Sequence, residues 1–365
     1  MEDIYKKPRR SIIALGNPIM DISASLSYKD IEKYGLELGQ TVFVNEKNKG
    51  FITELETRPD VSYVPGGSIE NSLRVCCWCL NLKEYNKKCD LLDKQKNKFK
   101  LTMLGCIGKD KNGEKIKQSL SELGVNFLFE VNQTLETSSC GVSITDKERT
   151  LLSNIKASAH ISNEFIEKNK KEILSHDILM IEGFFINENF ELCRRLSKEF
   201  KEKGKIVILT LSSVFVVKEH FMKVKEIAEL SNYIFCNSDE AKAFARTDGN
   251  GDMELVSKVI HQNLHEIDNR ALVITCGPNG VMISKFNYKA NQMDFFLHVY
   301  CVFIPVDEIV DLNGAGDAFL GGFISQFMKG KPYNLCASAG NSASSYILKK
   351  TGCSFDTKVK FEYNE

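Results

Sequence analysis

Apolar residues along the chain follow two alternating patterns. Short runs rich in β-branched residues predict strands, and longer runs with apolar residues every three or four positions predict helices. The predicted strands span residues 11–15, 100–104, 178–181, 206–211, 233–236 and 271–275. The predicted helices span residues 70–82, 114–123, 188–202, 239–245, 253–263, 317–328 and 334–348. Strands that alternate with helices indicate an α/β fold, in which helices cover both faces of a mostly parallel sheet.

Two further stretches, residues 19–64 and 125–158, show shorter alternations of polar and apolar residues. Alternation with a period of two is typical of strands that have one face in solvent. We therefore expect one small second sheet built from both stretches, with residues 1–18, 65–124 and 159–365 forming the large domain. The lysine-rich run at 85–100 is interpreted as a solvated surface loop rather than as an anion-binding patch.

Composition and charge narrow the classes of partner. Lys plus Arg and Asp plus Glu each number 48, so the formal net charge is zero, and neither nucleic acid nor an anionic membrane is expected as a partner. The longest mostly apolar run, residues 206–217, is too short to span a bilayer, and no apolar signal-peptide core follows the charged first residues. The twelve cysteines have neither CxxC pairs nor zinc spacing, so we expect reduced thiols in a cytoplasmic protein.

The glycine-rich segment DLNGAGDAFLGGF, residues 311–323, gives the strongest indication of chemistry. Gly314 and Gly316 precede a predicted helix, and glycine lets a ligand approach the backbone closely. The first amides of a helix lack internal partners, so with the helix dipole they form an anion site. Asp317 on the first turn is then either a residue that compensates the dipole or a general base beside phosphate. The chain lacks GxxxxGK[ST] and the HRD and DFG motifs, which excludes a P-loop and a protein-kinase site.

A second group of polar residues lies near the N-terminus, in GNPIMD at 16–21 and PGGSIENS at 65–72. Asp21, together with Asn17 or Asn71, can supply the donors and acceptors that vicinal sugar hydroxyls need. The same residue types are also ordinary turn formers, and spacing alone favours that interpretation.

Taken in order, these motifs resemble those of the ribokinase-like family of small-molecule kinases. Further matching stretches are GCIGKDKNG at 105–113, GFF at 183–185, FCNSDEA at 235–241 and TGCSF at 351–355, so the resemblance covers nearly the whole chain. It implies a three-layer αβα domain with a mostly parallel central sheet and a small β-sheet lid. It also implies phosphoryl transfer from ATP, with Mg²⁺, to the 5′-hydroxyl of adenosine. Two alternatives are a kinase of another nucleoside or a sugar, and a non-catalytic nucleoside-binding relative.

The resemblance also implies a role for individual residues. Asp317 is expected to be the catalytic base, the amides of Gly314, Ala315 and Gly316 an anion hole, and Arg149 a lid residue that reaches the phosphates. The residues expected to hold the nucleoside are Asn17, Asp21, Gly67, Ser68, Asn71, Phe43 and Phe185. The residues expected to hold ATP are Asn237, Thr275, Gly277, Asn313 and Asn341. The residues expected to organise magnesium are Asn237 and, through water, Glu240.

Three residues depart from the family's pattern: Leu312 replaces Thr, Glu70 replaces Gln, and Glu182 replaces Ala. Leu312 removes a hydroxyl near the expected anion hole, and Glu70 lies next to the expected ribose site. None of the three removes a residue that the implied chemistry requires. The resemblance makes K⁺ a candidate cation without placing its ligands, and it makes a monomer the expected assembly.

Overall fold

The computed structural model describes residues 8–92, 94, 97–145, 148–264 and 270–363. Over these residues the strands are β1 (Ser11–Leu15), β2 (Ile19–Ser25), β3 (Thr41–Phe43), β4 (Ser62–Gly66), β5 (Lys100–Gly108), β6 (Asn126–Asn132), β7 (Ser138–Thr145), β8 (Glu148–Asn154), β9 (Ile178–Glu182), β10 (Ile206–Thr210), β11 (Tyr233–Asn237), β12 (Ala271–Thr275), β13 (Val281–Asn287) and β14 (Gln292–Val299). The helices are α1 (Tyr28–Lys33), α2 (Phe51–Glu56), α3 (Ser68–Leu80), α4 (Leu82–Leu91), α5 (Lys111–Leu123), α6 (Asn163–Ile173), α7 (Gly183–Glu202), α8 (Val214–Glu219), α9 (Phe221–Leu230), α10 (Ser238–Ala245), α11 (Met253–Asn263), α12 (Ala315–Met328) and α13 (Tyr333–Ile347).

Nine of the described strands form a large sheet in the order β14-β13-β12-β11-β10-β9-β1-β5-β6. Seven neighbouring strands run parallel, in the order β12-β11-β10-β9-β1-β5-β6, and β13 and β14 extend one edge antiparallel. Successive residues of β1 face opposite sides, because Ile12 packs into the core under α3 and α12 while Ile13 packs into the core under α7 and α9. The result is the expected ribokinase-like three-layer α/β fold, with one apolar core on each face of the sheet.

A smaller sheet is made of five described strands in the order β3-β8-β7-β2-β4. Its strands come from two separate parts of the chain, as the polar and apolar alternation predicts. One face packs on α2 through Phe51 and Leu55, which are fully buried. The other face presents Cys140 and Val142 toward a cavity, so this sheet has one core face and one face available to a ligand.

Strand β6 corrects the predicted extent of the small sheet. Residues 125–158 were expected to belong to it, but β6 pairs in parallel with β5 at the edge of the large sheet. The reason is local: α5 ends at Gly124, which adopts a left-handed conformation and turns the chain back alongside β5. The second segment of the small sheet therefore begins at β7.

The lysine-rich run at 85–100 is also not simply a loop. Helix α3 ends at Asn81 in a left-handed turn, and α4 then continues to Leu91, burying Leu82 and Cys89. The side chain of Asn86 brackets Phe99, accepting from its amide at 3.0 Å and donating to its carbonyl at 2.9 Å. The surface-loop prediction was thus wrong for the part of this run that lies in α4.

The six predicted strands are all present, and most predicted helices begin slightly earlier than expected. The prediction missed β13 and β14; in the outer strand, β14, half of the residues are exposed and none is buried, which gives a weak pattern. No helix within the described residues is both long and apolar enough for a membrane span. The twelve cysteines, all of them within the described ranges, are free thiols.

Candidate active site

Two adjoining cavities lie at the C-terminal ends of the parallel strands, where open α/β sheets commonly bind ligands. The larger cavity, about 270 Å³ in volume, lies between the large and the small sheet. The smaller cavity, about 100 Å³, is lined by the large sheet and its helices alone. Ser68, Ser212 and Asp317 belong to both walls, so they stand at the junction of the two cavities.

Asp317 occupies the first turn of α12, and two side chains from α3 hold its carboxylate. Ser68 Oγ donates to Oδ1 at 2.6 Å, and Asn71 Nδ2 donates to Oδ2 at 3.0 Å. Desolvation by the surrounding protein raises the pKa of Asp317, and the two hydrogen bonds oppose that rise. The arrangement gives an oriented carboxylate whose affinity for a proton exceeds that of an exposed aspartate.

The start of α12 is a glycine-rich turn, at the place where the sequence predicts an anion site. Gly314, the N-cap, has φ +77°, and a Cβ there would lie 2.7 Å from Cys353 Cβ, so only glycine fits. A Cβ at Gly316 would meet no atom within 4 Å, which leaves this turn open. Gly314 lines the larger cavity and Gly316 the smaller one. The structure thus brings Gly314, Ala315 and Gly316 together with Asp317 between the two cavities.

Arg149, on β8 of the small sheet, reaches the same region. Its Nη2 forms an ion pair with Asp311 Oδ2 at 2.7 Å, and both side chains are largely buried. Arg149 also lines the larger cavity and lowers the pKa of Asp21 through its charge. The family resemblance implied a phosphate-binding role for Arg149 but gave no sign of its pairing with Asp311.

The predicted sugar-binding residues form one wall of the larger cavity. Asn17, only 2% exposed, has a side-chain nitrogen, Nδ2, that finds no acceptor within the described part of the chain. Asp21 lies across from Val64 in the β2–β4 pair, and a Cβ at Gly66 would lie 2.2 Å from its Oδ2. Desolvation raises the pKa of Asp21 to about 7, although Arg149 opposes the rise. Gly67, with φ +100°, turns the chain into α3.

The aromatic residues of the larger cavity differ from the prediction at one position. Phe43 lines it as expected, and its ring lies 5.7 Å from that of Phe215 on α8. Phe185 does not line it: this side chain is fully buried in the core under α7. Its neighbour Phe184 lines the cavity instead. Because α7 begins at Gly183, consecutive residues point about 100° apart, so only one of the two rings faces the cavity.

The smaller cavity contains Asn237, Glu240 and Thr275, which end β11, begin α10 and end β12. Asn237 and Glu240 form a capping box, in which Asn237 Oδ1 accepts from the Glu240 amide at 2.8 Å and Glu240 accepts from the Asn237 amide at 3.1 Å. Burial raises the pKa of Glu240 to about 7. Within the described residues, no three His, Cys, Asp or Glu side chains form a metal-binding group.

The remaining residues predicted to hold ATP are only partly at the cavities. Asn313 lines the larger cavity. Gly277 and Asn341 lie outside both walls: Gly277 begins a short 3₁₀ turn after β12, and Asn341 on α13 donates to the carbonyl of Tyr300 at 3.3 Å. Neither residue therefore lines the cavities that meet at Asp317.

Sequence reasoning missed Glu182 and Ser212 as wall residues. Glu182 ends β9, is 1% exposed and accepts from the main-chain amide of Asn17 at 3.4 Å. Burial raises its pKa to about 8, and the charge of Asp317 adds to the rise. Ser212 follows β10 with φ +69°, a conformation that serine rarely adopts. Their position directly after parallel strands was the available signal.

Comparison with known proteins places this geometry in a family. The model of the pfkB family of carbohydrate kinases matches residues 29–360. The chain belongs to this family. This chain is 29% identical to adenosine kinase 2 of Arabidopsis thaliana over 358 residues, which cover 96% of this chain and 97% of the relative.

Solved structures give the same result for the fold. One is the crystal structure of Anopheles gambiae adenosine kinase in complex with P1,P4-di(adenosine-5) tetraphosphate, with a TM-score of 0.80, 25% identity, and coverage of 96% of this chain and 98% of that one. Another is adenosine kinase from Schistosoma mansoni in complex with 2-fluoroadenosine, with a TM-score of 0.80, 25% identity, and coverage of 94% and 97%. As a member of the pfkB family, this protein is a phosphotransferase that acts on an alcohol group.

Proposed function

We propose that this protein phosphorylates the 5′-hydroxyl of adenosine with ATP, giving AMP and ADP, as a purine-salvage enzyme. The observation that carries the proposal is the position of Asp317, in the wall common to both cavities and beside the amides that begin α12. A base at such a junction can face an acceptor hydroxyl on one side and a phosphate on the other. The relatives and solved structures named above are adenosine kinases.

The larger cavity suits the nucleoside. Asn17 offers a buried side-chain carboxamide whose Nδ2 has no partner in the described part of the chain, and Asp21 and Asn71 add a carboxylate and a second carboxamide in the same wall. Vicinal hydroxyls each need a donor and an acceptor, which this group supplies. Phe43 and Phe184 line the same cavity and provide flat apolar surfaces for a purine.

In the proposed reaction, ionised Asp317 accepts the proton of the 5′-hydroxyl as the oxygen attacks the γ-phosphorus of ATP. The raised pKa of Asp317 favours this transfer, because a stronger base takes the proton more readily. The amides of Gly314, Ala315 and Gly316 and the dipole of α12 stabilise the charge on the transferred phosphoryl group. Arg149 adds a guanidinium from the small sheet.

Magnesium fits the smaller cavity as an ion held mostly by water and phosphate. Glu240 supplies a buried carboxylate there, and Asn237 orients it through the capping box. Magnesium in phosphotransferases typically keeps several waters and takes one or two protein carboxylates, so a larger acidic cluster is not needed. The ion would neutralise phosphate charge. A potassium requirement is a further part of the proposal, tested by replacing K⁺ with Na⁺ in the assay.

We also propose that the small-sheet segments act as a lid over the nucleoside. Residues of both sheets line the larger cavity, so a movement of one sheet relative to the other would open or close it. We further propose that the protein is a monomer and that it is located in the cytoplasm. The free thiols are compatible with a reducing compartment, and sedimentation of the purified protein tests the assembly.

The deciding experiment measures ADP release from Mg-ATP with adenosine, ribose, fructose, inosine and guanosine. Strong preference for adenosine is expected. Activity on another nucleoside or on a free sugar alone would keep the mechanism and overturn the substrate. Nucleoside binding without ADP release would favour a non-catalytic relative. The Asp317→Asn variant serves as the control for contaminating kinases.

A further inference from the structure

Asp311 joins three separate parts of the molecule beside the anion site. Its Oδ2 accepts from Arg149 Nη2 at 2.7 Å and from the Gly352 amide at 2.6 Å. Its Oδ1 accepts from the Asn313 amide at 3.0 Å. These partners belong to the small sheet, to the turn after α13 and to the loop that leads into α12. Asp311 is itself 9% exposed, so all three contacts are made away from bulk water.

Arg149 has competing carboxylates nearby. Its charge acts on Asp21, which in turn feels the charge of Asp317, and all three residues line the larger cavity. A guanidinium released from Asp311 would be attracted toward these groups, and Asp21 on β2 would draw it away from its place beside Asp311. A buried cation that loses its counter-ion also carries a large desolvation penalty, so a new pairing would form readily.

We propose that Asp311 is a positioning residue for phosphoryl transfer: it holds Arg149 beside the first turn of α12, so that guanidinium and helix amides act on the same phosphoryl group. The inference rests on the proposed function. Asp311 binds one edge of the guanidinium through Nη2, and the planar fork leaves further N–H donors for phosphate. Since Arg149 belongs to the small sheet and Asp311 does not, the same pair couples the position of that sheet to the anion site.

The test uses chemical rescue in the full-length protein. Arg149→Ala should lower kcat by about 10²-fold, since loss of a group that positions or neutralises phosphate has effects of that order. Added guanidinium ion should restore activity at least about tenfold by binding Asp311 as the side chain does. Ammonium ion has the same charge without the planar fork and should rescue poorly. Equal rescue by both ions would contradict the proposal.

The second arm places Asp311→Asn in the Arg149→Ala background. Asparagine keeps one acceptor oxygen, for either the Gly352 or the Asn313 amide, but loses the charge that holds guanidinium, so rescue should disappear. Unchanged rescue would overturn the proposal. If this variant does not fold, as judged by its circular dichroism and melting temperature, the guanidinium and ammonium comparison with Asp311 intact still decides the matter.

A matched control is available in the Asp30–Arg58 pair, which joins an aspartate and an arginine at 3.2 Å in the small-sheet part, outside both cavity walls. Asp30→Asn should leave kcat within about twofold, because exposed ion pairs contribute little energy.

Asp311→Asn alone should lower kcat by about 10- to 100-fold with little change in the KM for the nucleoside, since a misplaced Arg149 affects the reacting geometry. A wild-type protein that turns over a different acceptor would overturn the proposed substrate, yet the rescue test would still apply with that acceptor.

Discussion

The two cavities that meet at Asp317 are built in different ways. The smaller one is formed by strand ends and helix starts of the large sheet, such as Asn237 and Thr275. The larger one needs both sheets, because Asp21 and Phe43 come from the small sheet and Gly314 does not. A site made from one rigid sheet keeps its shape, whereas a site between two sheets depends on how they are placed. The proposed phosphate side is thus preformed, and the proposed nucleoside side is adjustable.

The largest effect should come from the residue that the cavities share. Asp317→Asn should lower kcat by about 10³-fold, since a general base contributes on that order, and should leave nucleoside affinity within about threefold. Turnover by coupled ADP release and binding by calorimetry separate the two. Asp294→Asn on exposed β14 is a matched control and should behave as wild type. Near-normal turnover of Asp317→Asn would remove the base from the mechanism.

The next effect should be confined to the smaller cavity. Glu240→Gln keeps the size and the acceptor of the capping box but removes the carboxylate charge. The magnesium concentration for half-maximal activity should rise about 10- to 100-fold, a common result of weakening the support of a metal site. Adenosine binding without ATP should not change. A parallel loss of adenosine affinity would show that the two cavities are not separable in this way.

The larger cavity can be tested with two adjacent phenylalanines. Phe184→Ala should raise the KM for adenosine about tenfold, because an aromatic contact to the base contributes about 1 kcal/mol beyond its apolar area. Phe185→Ala should instead lower the free energy of unfolding by about 3–5 kcal/mol through a core cavity, with the KM unchanged. Thermal melting and initial rates distinguish the variants. The reverse pattern would restore the original assignment of Phe185 to the base.

The smallest effect on activity should come from Glu70, which lines neither cavity. It is fully buried, neither carboxylate oxygen has a partner in the described part of the chain, and burial raises its pKa to about 8. The unfolded chain ionises near the ordinary value of 4.5, so stability falls as pH rises from there to about 8.

Glu70→Gln removes this ionisation cost. The variant should be more stable than wild type by on the order of 2–3 kcal/mol at pH 7 and about equally stable below pH 4.5. Urea unfolding at several pH values measures the difference, with kcat expected within about twofold at each pH. A pH-independent difference would mean that Glu70 does not carry a raised pKa.

The sequence was sufficient for a parallel sheet with helices on both faces and for the glycine-rich turn before Asp317, because both depend on local signals. Parallel strands such as β1 and β9 are apolar runs, and the turn at Gly314 needs glycine. It was not sufficient for β6, whose pattern fits either sheet and whose partner is decided by the turn at Gly124.

The errors within the site have a similar origin. Phe184 and Phe185 are chemically identical, and only the start of α7 at Gly183 decides which ring meets the cavity. The Arg149–Asp311 pair joins a strand of the small sheet to the loop before α12, and such a contact between distant residues produces no periodic pattern in the sequence. Glu182 stood out as a departure from the family's pattern, but its role as a wall residue needed the three-dimensional arrangement.

The contact between Gly314 and Cys353, together with the bond from Gly352 to Asp311, has a consequence for biosynthesis. The larger cavity also includes Asn17, which is synthesised long before Gly352 and Cys353. During translation the early residues can fold against β5 and β9, but the anion site stays unsupported until the Gly352–Cys353 turn leaves the exit tunnel. A truncated nascent chain should therefore acquire its sheet before it acquires any nucleoside affinity, and chaperones would meet a chain whose larger cavity is still open.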